Sequence, residues 1–149
     1  MTPDQIFSIV NPVAALSWLA LIVLPRRAAL VSGVMVPVVF AALYAALIAG
    51  QWSGADGGFS SLPDVARLFA NRWLLLAGWV HYLCFDLLTG AWEVQDARRR
   101  GIPHLLVVPC LVLTFLFGPA GWLLYRSLAS GHARWRPAAP AEGGASATA

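Results

Sequence analysis

Charge is nearly absent from four long stretches of this chain, approximately residues 6–24, 30–49, 73–90 and 103–128. A helix needs roughly 20 apolar residues to cross the hydrocarbon core of a bilayer, and each stretch supplies about that many. Backbone N–H and C=O groups surrounded by lipid must be satisfied within their own segment, which selects helices. The sequence therefore predicts an all-α polytopic membrane protein. Four transmembrane helices would form a bundle over residues 1–136, with 137–149 as a disordered tail rich in alanine, glycine and proline. With 11% charged residues, about half the usual share, the chain cannot cover the surface of a soluble domain of its length.

The connections differ in character. Pro25, Arg26 and Arg27 leave room only for a turn between antiparallel neighbours, so the first two helices should form a hairpin. No basic segment precedes the first run, which therefore reads as a retained span rather than a signal peptide. Between the second and third runs, the glycine- and serine-rich "WSGADGGFSS" gives way to "LPDVARLFANR". There Pro63, Asp64, Val65, Leu68 and Phe69 predict a short amphipathic helix at the membrane interface, bracketed by Trp52 and Trp73. The segment "AWEVQDARRRG" carries good helix formers up to Arg100, so the third helix should continue beyond the membrane until Gly101 stops it. Pro103 suits the first turn of the fourth helix, and Pro109 with Gly118–Pro119 should bend or interrupt it.

The chain has no lysine, and its basic character comes from ten arginines that flank apolar runs, which excludes a nucleic-acid face. With four full spans, five arginines fall on each side. The tight basic loops then favour a cytoplasmic location for 25–27 and 98–100, with both termini outside. Cys84 and Cys110 lie inside apolar runs and predict free buried thiols.

Reactive side chains concentrate in the third and fourth runs: His81, Asp86, Glu93, Asp96 and His104. An aspartate at the membrane centre costs about 2.5 to 3.5 kcal/mol, and each leucine, valine or phenylalanine returns only about 0.3 to 0.6 kcal/mol. Asp86 must therefore face protein, water or a polar ligand. At about 100° per residue, Asp86 and Glu93 share one helix face and Asp96 lies about 60° from Glu93, forming a carboxylate stripe. His81 is about 140° from Asp86 and a poor direct partner, whereas His104 starts the fourth helix and is expected to return against Glu93 or Asp86.

Three readings of this cluster stand. Asp86 and His104 form a buried hydrogen bond that fixes the bundle, with Arg98, Arg99 and Arg100 as an interfacial charge ring. Alternatively, they are a carboxylate–histidine acid–base pair in an apolar cavity. A metal site would use His81, Asp86, Glu93, Asp96 and His104, although no compact ligand motif is present. Asn11, beside Pro12, is the one strongly polar residue deep in the first run; it serves either freed backbone groups there or a ligand.

The stretch "GWVHYLCFDLLTGAWEVQDARRRGIPHLLVVPCLVLTFLFGPAGWLLY" resembles the core of the abscisic acid-deficient-four-like family, and "NPVAALSWLALIVLP" resembles its first helix. The family's plant members are plastid membrane proteins tied to neoxanthin synthesis. The resemblance implies four transmembrane helices, a carotenoid or membrane-lipid ligand, and a neoxanthin synthase-like isomerisation in which an acid protonates an epoxide oxygen and a base removes a neighbouring proton. No redox cofactor is needed for that reaction. On this chain Asp86, Glu93 and His104 are the implied acid and base, with His81, Asp96, Arg98, Arg99, Arg100 and Asn11 toward the substrate. The lysine-free, alanine- and arginine-rich composition and the lack of a transit peptide point to a bacterial inner membrane. A homo-oligomer or a complex with other carotenoid enzymes would be its setting. Two rival functions are a non-catalytic carotenoid- or lipid-binding accessory protein and a metal-dependent membrane enzyme.

Overall fold

The computed structural model describes residues 1–25 and 27–135; the expected tail, 137–149, lies outside the described residues. Helix α1 spans Pro3–Val23 and begins with a reciprocal cap. Thr2 Oγ1 accepts from the Gln5 amide at 3.3 Å, and Gln5 Oε1 accepts from the Thr2 amide at 2.8 Å. Val10, Ala14, Ser17, Trp18 and Leu21 form its buried stripe at helical spacing, while apolar residues such as Ile9, Leu16, Leu19 and Val23 point outward. An apolar exposed face beside an apolar buried one is the signature of a helix surrounded by lipid.

A turn at Pro25 leads through a single helical turn, Ala28–Leu30, into a π-helical stretch, Val31–Met35, and then helix α2, Val36–Gln51. Pro37 has no N–H to offer the carbonyl four residues earlier, and the widened turn lies directly before it. Helix α3, Leu62–Ala70, starts at Ser61, whose Oγ accepts from the Asp64 amide at 3.2 Å. Ser61 and Arg67 both bond the Asp64 carboxylate and hold its pKa below the ordinary value. Leu68 is buried, and the Phe69 ring lies over Gly78.

Helix α4, Arg72–Arg100, is the centre of the fold. Asn71 Oδ1 caps it by accepting from the Trp73 amide at 2.9 Å, and Gly101 at φ +70° ends it. Its 29 residues extend about 43 Å, more than the membrane requires. Helices α1 and α2 each pack mainly against α4 and only lightly against each other, so the expected hairpin is held together by a third helix. Trp18 sits where Gly90 has no side chain, and an alanine Cβ would overlap the indole ring. Gly90→Ala is therefore expected to destabilise the fold by about 1–3 kcal/mol, read as a lower melting midpoint in detergent.

Pro3–Val23, Val31–Gly54 and Arg72–Arg100 are long and apolar enough to cross a membrane. The fourth expected span does not form as one helix. It divides into α5, His104–Phe117, and α6, Pro119–Trp135, separated by the buried Gly118 at φ +39°. The 14 residues of α5 reach only about 21 Å. Side-chain partners show that the chain reverses at Gly118. Along α5, Thr114 meets Glu93 and Gly118 meets Asp86; along α6, Tyr125 is back at Asp96. Gly121 permits the reversal, because the backbone of Thr114 lies where its Cβ would be.

Both ends of this helical pair lie toward Arg100, and its tip reaches only the depth of Asp86. The start of α1 is at the opposite end of the bundle, where Asp4 Oδ1 accepts from Arg72 Nη2 at 2.5 Å. The described part of α6 therefore runs toward the end of the bundle opposite the start of α1, while the C-terminal residues of the expected arrangement lie outside the described residues.

Candidate functional site at the tip of the helical pair

Asp86 and Glu93, seven residues apart on α4, point together toward α5 and α6. Glu93 is fully buried, with an exposure of 0%, and its Oε1 accepts from Thr114 Oγ1 at 3.0 Å while Oε2 has no partner. Asp86 is 8% exposed, and its Oδ2 is likewise unpartnered. A buried carboxyl oxygen without a hydrogen bond is costly, and at membrane depth such a group marks a functional site. The hydroxyl of Tyr82, one turn earlier, donates to the Phe115 carbonyl at 3.3 Å and also lies beside the Asp86 carboxyl.

Asp86 is not sealed inside the bundle. It forms the polar wall of a groove of about 380 Å³, otherwise lined by Phe85, Thr89, Gly118, Pro119 and Trp122. Phe85 and Trp122 are exposed on the outer apolar surface, so the groove opens sideways toward lipid. Gly118 gives Asp86 its room: a Cβ there would stand 3.1 Å from Oδ1. The first turn of α6 begins directly beside the carboxyl, and the positive end of a helix dipole favours negative charge. An amphiphile or polyene entering from the membrane would meet one carboxyl against aromatic walls.

The other sequence-predicted residues go elsewhere. His104 does not return to the carboxylate stripe. Its Nε2–H donates to the Ile22 carbonyl at 2.8 Å, near the Arg100 end of the bundle. Because α5 starts level with the end of α4, it is Thr114, ten residues further on, that reaches Glu93. Asp96 accepts from Arg100 Nε at 2.6 Å and from Tyr125 Oη at 2.7 Å, which ties α4 to α6. Arg98 and Arg99 line a separate cavity with His104, about 18 Å or more along the helix from Asp86.

His81 is exposed, with its ring centroid 4.6 Å from Phe85 and 5.4 Å from Tyr44. It borders a different groove of about 500 Å³, walled by Trp52, Phe59 and Phe69. Asn11 Oδ1 accepts from Trp79 Nε1 at 2.7 Å, so it joins α1 to α4 and does not serve the backbone near Pro12. Among the described residues, no three His, Cys, Asp or Glu side chains converge, and the five proposed metal ligands are spread over four places.

Tyr82, Thr114, Gly118 and Tyr125 were not singled out by sequence reasoning as site residues. A signal for Thr114 existed. Folding the chain back about Gly101 places Glu93 opposite residues near 110–114, and Thr114 is the hydroxyl in that stretch.

No curated protein and no solved structure shows significant similarity to the chain. The family described as ABA DEFICIENT 4-like matches residues 5–125, which takes in the three long apolar helices, α3, α5 and the start of α6 through Tyr125. With most of its length covered by that match, this helical membrane protein belongs to the ABA DEFICIENT 4-like family.

Proposed function

We propose that the protein is a carotenoid- or isoprenoid-modifying enzyme of a bacterial inner membrane, performing an acid–base isomerisation at Asp86. The observation that carries this reading is the Asp86 carboxyl itself, unpartnered at Oδ2 and set in a groove open to lipid. Family membership supplies the carotenoid connection. An apolar substrate needs no aqueous route to such a groove, and exclusion of water strengthens a proton transfer made there.

For an epoxide substrate, protonated Asp86 gives its proton to the oxygen as the C–O bond opens. The resulting carboxylate takes a proton from the neighbouring carbon, whose electrons form the new double bond. Substrate and product have the same composition, and the carboxyl is restored. Glu93, buried behind Asp86 and held by Thr114, is a positioning residue that sets the electrostatic environment of the pair. His104 has no part in this scheme. Helix α3, with Trp52 before it and Trp73 after it, lies at the interface.

Expression in bacteria that accumulate defined carotenoids, followed by chromatography of the pigments, tests the proposal. The wild type should convert at least one pigment to an isomer of equal mass. Asp86→Asn should lower conversion by about a hundredfold or more, the usual scale of a lost general acid–base group. Glu93→Gln should lower it less, and His104→Ala should retain it. Pigment that copurifies unchanged with both wild type and Asp86→Asn would instead establish a carrier or accessory role. Unaltered profiles and no bound pigment across the panel would reject both readings.

A further inference from the structure

The largest cavity described is distinct from the Asp86 groove. It measures about 790 Å³ and lies where the α1–α2 turn, the end of α4 and the start of α5 meet. Pro25, Gln95, Arg98, Arg99, Ile102 and His104 contribute to its wall. We propose that this cavity binds the phosphate headgroup of an anionic glycerophospholipid.

Three observations point to that ligand. First, among the described residues the cavity lining has two arginines and no acidic residue. Asp96, two residues before Arg98, is already engaged by Arg100 and Tyr125, whereas Arg98 and Arg99 are exposed and form no ion pair among the described residues. Guanidinium groups match phosphate oxygens with paired donors, and basic pockets between membrane helices are suited to anionic headgroups.

Second, the residues next in the chain to two of its lining residues, Pro25 and His104, are exposed apolar ones: Val23 and Leu24 at the end of α1, and Leu105 and Leu106 at the start of α5, Leu105 to 82%. A soluble phosphate has no use for that surface, but the acyl chains of a lipid would cover it. Third, hydrogen bonds hold the side of the cavity formed by His104 and the α4–α5 connection. His104 is fixed to the Ile22 carbonyl, and the α4–α5 connection is closed by hydrogen bonds from Gly101 to Arg98 and from Ile102 to Ala97.

The test uses the full chain, delipidated in neutral detergent and titrated with phosphatidylglycerol, phosphatidylcholine or inorganic phosphate. Bound lipid is counted by native mass spectrometry. Phosphatidylglycerol should be retained, with phosphatidylcholine at least about tenfold weaker and inorganic phosphate unable to displace it at millimolar concentration.

Arg98→Gln with Arg99→Gln should weaken retention by about tenfold to thirtyfold, as expected for two arginines lost from an anionic-lipid contact. Arg67→Gln with Arg72→Gln removes the same charge at the other end of the bundle and should have no such effect. Equal retention of both lipids, equal losses in the two double variants, or displacement by inorganic phosphate would each overturn the assignment. The readout does not depend on catalysis, so it stands or falls separately from the role of Asp86.

Discussion

Gly121→Ala is expected to take the helical pair apart. At this position the neighbouring atoms are the backbone nitrogen and Cα of Thr114, together with its Oγ1. Backbone cannot swing aside as the tip of a flexible side chain can. A methyl group there must push α5 and α6 apart, which also withdraws the Thr114 hydroxyl from Glu93. The cost should reach at least the upper part of the overpacking range, about 3 kcal/mol. The measurement is the temperature at which detergent-solubilised protein loses its monodisperse peak. Gly131→Ala is the control on the same helix, since nothing lies within 4 Å of a Cβ there. That change should be neutral or slightly stabilising, because alanine is the better helix former by about 0.8–1.0 kcal/mol. Similar midpoints for the two variants would mean that α5 and α6 do not lie against each other as described.

The second large effect concerns sidedness and is close to all-or-none. If α6 continued outward from α5, Arg126 and Arg134 would sit with Arg67 and Arg72, and the positive-inside rule would see a tie. Because the chain turns back at Gly118, Arg126 lies near Asp96, and the rest of α6 runs on toward the end that holds Arg27, Arg98, Arg99 and Arg100. The imbalance then predicts that end to be cytoplasmic. In a background with Cys84→Ala and Cys110→Ala, a cysteine replacing Ser60 should react with a membrane-impermeant maleimide in intact cells. A cysteine replacing the exposed Ser130 should react only after the cells are opened. Labelling of both from outside would restore the four-span arrangement and reject the reversal.

The parts of the fold legible in the sequence are those set by local rules. Run length and apolar content mark the three long helices, turn chemistry marks Pro25 and Gly101, and a Ser–Leu–Pro–Asp start marks α3. The common face of Asp86 and Glu93 follows from helical period alone. What stayed hidden depends on contacts distant in sequence. A Gly–Pro step inside an apolar run is equally compatible with a bend and with a reversal. The choice is made by the fit of Gly121 on Thr114 and by Tyr125 finding Asp96, neither of which is periodic. The misplacement of His104 has the same origin. Proximity to the helix start suggested a partner on α4, but the connection is so short that the start of α5 stays level with the end of α4. The carbonyl of Ile22, in the last turn of α1, supplied an acceptor that no pattern of side chains reveals.

The limited reach of α5 and α6 makes the two leaflets unequal. Among the described residues, three helices make up the half of the bundle away from the arginines, and five helical segments make up the arginine-side half. The described part of the bundle is therefore a wedge, with its broad end beside Arg98 and Arg99. A wedge relieves curvature stress when the monolayer on its broad side expands. Such a protein should accumulate where the bilayer bends toward its narrow face, a sorting preference created by a single reversal at Gly118.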